Sequence, residues 1–531
     1  MLNMNSIFSD GMVLQRQKKV KVFGRATANQ KVIVTIPERG IQVEGQADAN
    51  EEFQIQLPEQ EVGEPCTLVV TAGQEKLEFH DVLFGEVWFA GGQSNMELEL
   101  GNCKQGPEEL ARLAQEKKET GKDSDIRFYF TVKMPYENEE WKAKQKASHW
   151  CSVNDESAHI LSAVGYFAAK RIQEKLQVPV GVINCNHGGT SISCWMKLAE
   201  LETFENGRWY IQEYQKLVGD KSNEEYLAEM EEYQKTLDNY LKTVERIKEE
   251  AASRGETVSG EQMNEMAGPY PWPQPQGWLS PYRPGGLAET MLAKVVPYTV
   301  RGICYYQGEE DSNRWERYAD MLSHLITIWR KLWQEENLPV LLMQLPMFLE
   351  KGAQDDGSWV GIRRAQEQIS KEKEQVYLVP LCDLGEYDNI HPVDKLTPGT
   401  RLGGMILNAV YGQKEEGMPM VYAGSFAEAG TLTLYFNNSG GGILVGKNAQ
   451  GEEPDLISAR QAEQEGIEIQ GFEIAGSDGR FYKADAYVER DFILLTSPEV
   501  PKPLLARYAW ANYIRANVYN KQGLPLVPFL G

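Results

Sequence analysis

The stretch Leu83–Met96, LFGEVWFAGGQSNM, limits what this chain can fold into more than any other. Its first half, with Val87, Trp88 and Phe89, is an apolar run rich in β-branched and aromatic residues. That is the pattern of a buried strand. The run stops at Gly91 and Gly92, and Gln93, Ser94, Asn95 and Met96 follow. Glycine lets the backbone turn sharply. A serine placed just past a buried strand then stands at the lip where an α/β sheet presents its reactive groups. A Gly-x-Ser turn is by itself a common structural turn. It becomes chemistry only with a base and an oxyanion site, so the rest of the chain is read for those parts.

Around this stretch the pattern alternates. Apolar strands are predicted at 83–90, Ile126–Phe130, Val178–Asn184, Val300–Gln307, Val340–Leu345 and Val376–Leu381. Amphipathic helical stretches run at Ala158–Lys175, Leu287–Leu292, Trp315–Trp333, Ile362–Lys373 and Lys395–Val410. Buried strands alternating with helices imply a parallel sheet covered on both faces, with its ligand crevice at the C-terminal strand ends. This α/β domain is expected over 83–414. Residues 1–82 carry short alternating runs at roughly ten-residue spacing, the signature of a small β-sandwich. Residues 415–531 return to β and predict a second β-rich domain. With 531 residues the chain exceeds what one core can bury.

An insert, about 201–286, interrupts the α/β pattern. Leu201–Val218 and Asn223–Glu250 read as helices broken at Gly219-Asp220, with Ser222 and Glu225 forming a capping box. In the second helix Tyr226, Met230, Tyr233, Leu237, Tyr240, Val244 and Ile247 make a seam of alternating four- and three-residue steps. Such a seam packs within a hairpin or against a second copy of the chain, so a homo-oligomer through the insert is one expectation. The Pro- and aromatic-rich stretch from Pro269 to Tyr282 reads as a long loop, either packing or a wall facing a ligand site.

Formal net charge is −23, which argues against a nucleic-acid partner. No run of about 18 apolar residues is present, so no membrane span is expected. Met1-Leu2-Asn3-Met4 lacks a basic region followed by an apolar stretch, so no secretory signal is expected. The seven cysteines are scattered without metal-ligand spacing and read as reduced thiols of a cytoplasmic protein.

Four predicted strands end in groups that could work together: Ser94, the segment His187-Gly188-Gly189-Thr190-Ser191, Gln307-Gly308-Glu309, and the loop Asp383 to His391. A serine hydroxyl needs a base to take its proton, and histidine is the natural one near neutral pH. The base needs an orienting group, and the oxyanion needs donors. The backbone N–H groups of Ser94 and Gly189 and the Gln307 amide could supply three. Of six histidines, His159 and His324 sit in helical patterns, and His80 and His149 lie outside the strand-end loops. His391 is preferred as the base, with His187 its competitor. Asp388 stands three residues before His391.

The blocks GGQSNM, NHGGTSISCWM, YYQGEED and DNIHP, in this order, resemble the four signature blocks of the SGNH (GDSL-like) hydrolases, and more narrowly the sialate O-acetylesterase family. FSDGMVLQR, SAVGYFAAKRI, PGGLAETMLAKVVPY and YAWANYIRANVYN also resemble that family, so the likeness spans nearly the whole chain. It implies a three-layer α/β/α core and a serine esterase acting through an acyl-enzyme without metal or cofactor. Its expected substrate is a small acetylated sugar, an acetylated sialic acid first and acetylated xylan or mannan fragments as the alternative. A non-catalytic carbohydrate-binding protein is the reading from another class. By position Ser94 matches the nucleophile, Gly189 the oxyanion glycine and His391 the base, while Gln307 stands where distant relatives carry asparagine. Asp388 fits the superfamily's Asp-x-x-His spacing. Asp383, Glu386 and a Ser/His dyad oriented by a backbone carbonyl remain open.

Overall fold

The computed structural model describes all residues except 155, 255–257, 259 and 449. Among the described residues, seven strands form the main path of an eleven-stranded central sheet: β1 (Glu75–Gly92), β2 (Ile126–Phe130), β3 (Trp150–Ser152), β4 (Val180–Asn186), β5 (Gly302–Tyr306), β6 (Val340–Met343) and β7 (Val376–Val379). Their spatial order is β3-β2-β4-β1-β5-β6-β7. All neighbours are parallel except the edge pair β2–β3. The interior strands are buried along almost their whole length, as their unbroken apolar runs require.

Side chains alternate across a strand, so Trp88 and Phe89 mark opposite faces of β1. Trp329, on the helix Tyr318–Leu332, meets the Phe89 ring edge-on at 5.5 Å. Val182 is in register with Trp88, and its face is covered by the helix Ala163–Leu176, where a methyl added to Gly165 would touch Val182 at 3.4 Å. Helices therefore cover both faces. The chain leaves β1 to build β2, β3 and β4 on one side, then returns to place β5 on the other. The C-terminal end of β1 is thus a topological switch point, where open α/β sheets form their crevices.

The sequence boundary at 82/83 is not a linker. β1 is one strand of 18 residues. Its first half pairs antiparallel with Cys66–Ala72 of the N-terminal sheet, and Leu83–Gly85 pairs with Val13–Gln15. The predicted N-terminal strands form, with small shifts at their ends. After residue 415 the chain is β-rich as expected, with three small sheets among the described residues. They share a core that includes Leu432, Leu434, Phe472, Ile493, Leu495 and Tyr508, and that also takes in Met347 and Cys382. The run 466–470 forms no strand; the helix Ala459–Glu465 ends at Gly466, in left-handed conformation.

Two compact units are found, the larger holding the central sheet and both terminal β regions. The smaller comprises Met134–Asn138 and Ser193–Thr290, so it begins before the expected insert. Within it the first expected helix starts only at Glu205 (Glu205–Val218), after a separate turn Leu198–Leu201, while the second forms as Asn223–Ser253 and Ser222 and Glu225 cap it reciprocally. Like Thr243 and Ala251 on the same helix, the seam residues are shielded. The Pro-rich segment packs back on them: Tyr233 donates to the Pro271 carbonyl at 2.8 Å, and Tyr240 meets Tyr270 edge-on at 5.6 Å. No helix among the described residues is long and apolar enough to cross a membrane.

Candidate active site

At the end of β1, Gly92 has φ +136°, and a Cβ there would lie 2.0 Å from the Tyr306 carbonyl oxygen. Only glycine lets β1 and β5 approach so closely. The chain then turns into a single helical turn, Ser94–Glu97, which places Ser94 at its first position.

Ser94 Oγ and His391 Nε2 are 2.8 Å apart. Residues 297 apart in sequence thus meet within hydrogen-bond reach, which is the geometry a serine nucleophile and its base need. The His391 residue is exposed. Desolvation of its ring by the surrounding protein, with Lys395 second, lowers its pKa from 6.5 to about 4, and Glu97 opposes the shift. At neutral pH the imidazole is therefore uncharged and able to accept a proton. The acid limb of kcat/KM, which reports the free enzyme, should fall near pH 4. An acid limb near 6.5 would contradict this electrostatic account.

The Ser94 and Gly189 backbone N–H groups, both expected as oxyanion donors, make no hydrogen bond among the described residues. Gly189 has φ +66°, and the loop before it is tied to the serine turn. Gly188 N–H donates to the Glu97 carboxylate, which also accepts from Lys133. A Cβ on Gly188 would touch Ser94 Cβ at 3.4 Å.

Gln307 is placed differently from the sequence reading. Its side chain is fully buried, and Nε2 donates to the Thr190 carbonyl at 3.1 Å and to Asp311 Oδ2 at 2.6 Å. Its Oε1 accepts from Tyr318 at 2.8 Å. With both amide hydrogens engaged, Gln307 braces the residue next to Gly189 and offers no donor to an oxyanion. Asp311 completes the brace, accepting from Ser191 Oγ and from Ile192 N–H, each at 2.8 Å. Asp311 was missed as a site residue although it ends the YYQGEED block; its spacing from Gln307 alone does not say which loop it reaches.

Asp388 is also not where an orienting acid must be. It has φ +60°, a left-handed conformation that Asp tolerates better than most residues, and its Oδ1 accepts from Lys351 N–H at 2.7 Å. The other two candidates are engaged as well. Asp383 forms a buried two-pronged pair with Arg401, at 2.8 and 3.0 Å. Glu386 accepts from Asn389 Nδ2 at 2.7 Å and from Val393 N–H at 3.3 Å. Among the described residues no carboxylate hydrogen-bonds the His391 ring. Asp388→Asn should therefore lower kcat by less than about tenfold, against the roughly 10⁴-fold loss that removing an orienting acid causes; steady-state kinetics decide between them.

His187 does not compete for the serine. Its Nδ1 donates to the Gly188 carbonyl at 3.1 Å, and burial lowers its pKa. His149, His159 and His324 bond carbonyls two to four residues earlier. The seven cysteines form no disulfide, and all but Cys151 are buried.

The sequence profile of one family, carbohydrate esterase, sialic acid-specific acetylesterase, matches residues 85–259 and 285–411, more than half the chain. The sialate O-acetylesterase of Mus musculus is 23% identical over 361 residues, covering 64% of this chain and 59% of that protein. The Homo sapiens sialate O-acetylesterase is 23% identical over 377 residues, covering 66% and 59%. The chain thus spans under two thirds of the length of these relatives. A crystal structure of a carbohydrate acetylesterase from Xanthomonas citri matches with a TM-score of 0.72 at 24% identity, covering 100% of this chain and 99% of that one. That likeness establishes a shared fold.

Proposed function

Because the chain belongs to the sialic acid-specific acetylesterase family of carbohydrate esterases, we propose that it removes O-acetyl groups from a small carbohydrate by serine catalysis at an SGNH-type crevice. The observation that carries this reading is the 2.8 Å approach of Ser94 Oγ to His391 Nε2. Ser94 Oγ attacks the acetyl carbonyl carbon while His391 Nε2 takes the hydroxyl proton. The carbonyl electron pair moves to oxygen, and that oxyanion is met by the N–H groups of Ser94 and Gly189. When the intermediate collapses, the bond to the sugar oxygen breaks and His391 returns the proton to it. The acetyl group is left on Ser94. A water molecule, deprotonated by His391, then attacks the acetyl-serine. Acetate leaves and the proton goes back to Ser94 Oγ. Every step uses only groups of the chain, the ester and water.

The family and its vertebrate relatives support an O-acetylated sialic acid as the substrate. One observation favours a neutral acetylated sugar as the second reading. A sialate carboxylate asks for a cation, yet the lysines near Ser94 and His391 already serve others: Lys133 pairs with Glu97, and Lys395 is buried against Asn95. Acetate release from a panel of O-acetylated sialic acids and acetylated xylan and mannan oligosaccharides separates the two. Activity confined to the neutral sugars overturns the sialate assignment. Failure of a fluorophosphonate to label Ser94 would remove the serine esterase reading.

A further inference from the structure

Asn95 directly follows Ser94, and its side chain is fully buried. Oδ1 accepts from Lys395 Nζ at 2.7 Å. Nδ2 donates to Glu309 Oε1 at 2.6 Å and to the Ile390 carbonyl at 2.9 Å. One amide thus lies between an ammonium and a carboxylate, its oxygen on the cation and its nitrogen on the anion. The flipped amide would set NH₂ against the lysine ammonium, a donor facing a donor, so the lysine fixes the orientation, and burial raises the Glu309 pKa. In that orientation the second Nδ2 hydrogen points at Ile390, the residue before His391. The peptide that carries the base is held from the residue beside the nucleophile.

Two facts argue that this arrangement is not there for stability alone. Charges buried this deeply, with Lys395 at 1% and Glu309 at 5% exposure, are costly to desolvate and often replaceable by apolar side chains without loss. Moreover, Glu309 Oε2 is buried without a hydrogen-bond partner, so the network is not optimised as a structural one. At the same time no carboxylate among the described residues bonds the His391 ring, and something else must fix its place.

We propose that Lys395, Asn95 and Glu309 act as one positioning device that sets the His391 imidazole against Ser94 Oγ, in the role an orienting acid would otherwise have. The proposal rests on the esterase reading above. It carries a second consequence, because charged groups face His391 from two elements: Lys395, at the start of the helix Leu396–Ala409, and Glu97, on the turn after Ser94. Lys395 opposes protonation of the imidazole and Glu97 favours it. Losing the lysine charge should therefore raise the pH at which the base is protonated.

The test uses the full chain and p-nitrophenyl acetate, with active sites counted by fluorophosphonate titration. Asn95→Ala should lower kcat about 10- to 100-fold with KM changed less than about threefold, as misplacement of a catalytic group does. Lys395→Met should lower kcat and move the acid limb of kcat/KM from about pH 4 toward 6.5. Lys395→Arg should keep the limb where it is. Wild-type kcat per titrated site and an unmoved acid limb in Asn95→Ala and Lys395→Met would overturn the proposal, whatever happens to their melting temperatures. If Asn95→Ala does not fold, the contrast between the two Lys395 variants decides alone. Silent Asn95 and Lys395 variants beside an inactive Ser94→Ala sink only the positioning device; an active Ser94→Ala sinks the esterase reading and this proposal together.

Discussion

Ser94→Ala is expected to lower kcat for ester hydrolysis by at least about 10⁴-fold while leaving the unfolding transition where it is. The size follows from what one oxygen does: without it there is no covalent intermediate, and what remains is binding and oxyanion stabilisation. The unchanged stability follows from what Ser94 does not do. It is half-buried, the cap of its helical turn is Gln93, and its side-chain hydrogen bond goes to His391. Removing the hydroxyl opens no core cavity and strands no buried donor. His391→Ala should cause a loss of similar order, because a serine without its base and a base without its serine fail together. Two melting curves and two progress curves suffice. A Ser94→Ala protein that still releases acetate at more than about a hundredth of the wild-type rate would mean that the chemistry lies elsewhere.

The parts of this site that were legible in the sequence are those fixed by strand ends. A buried run that stops at Gly91-Gly92 has to turn, and a polar side chain just past the turn can stand at the crevice; Ser94 does, while Gln93 before it is buried and accepts from Gly308 and Glu310 N–H. The same logic placed Gly189 and brought the His391 loop to the same edge. Side-chain direction was not legible. Gln307 is at the right strand end, but both of its amide hydrogens are drawn to Thr190 and Asp311, a preference set by loops that close only in the folded chain. Asp388 has the right spacing from His391, yet the left-handed backbone at that residue aims its carboxylate at Lys351. Glu309 stood out only as the end of the Gln307-Gly308-Glu309 strand end, without a partner, and Lys395 gave no signal, since an isolated lysine before a helix is an ordinary surface feature until burial makes the two partners. The same limit explains the domain boundary. Change of pattern at residue 83 was real, but it marks where the partners of one strand change, not where the chain is free to bend.

That continuity leads to the second large effect. Glu86 lies within β1, and its side chain is fully buried. Its carboxylate takes Arg16 Nε at 2.6 Å, Arg301 Nε at 2.8 Å and Gln15 Nε2 at 2.9 Å. Gln15 and Arg16 belong to the N-terminal segment, and Arg301 N–H donates to Val87 O at 2.7 Å at the entry to β5. One carboxylate therefore joins the N-terminal β region to the two strands that frame Ser94. Glu86→Ala should destabilise the protein by about 3–5 kcal/mol at pH 7, because it leaves two arginines facing a cavity without their anion. Burial alone would raise the Glu86 pKa, but the Arg301 hydrogen bond and charge outweigh it and hold the pKa below the ordinary 4.5. A depressed native pKa makes the contribution complete above the unfolded value and lost as pH falls through the lower native one. The gap between wild type and Glu86→Ala in guanidinium midpoints should thus be constant from about pH 5 to 8 and narrow in more acidic solution. A gap of the same size well below the native pKa would show that lost packing, not the charge, is what the substitution removes.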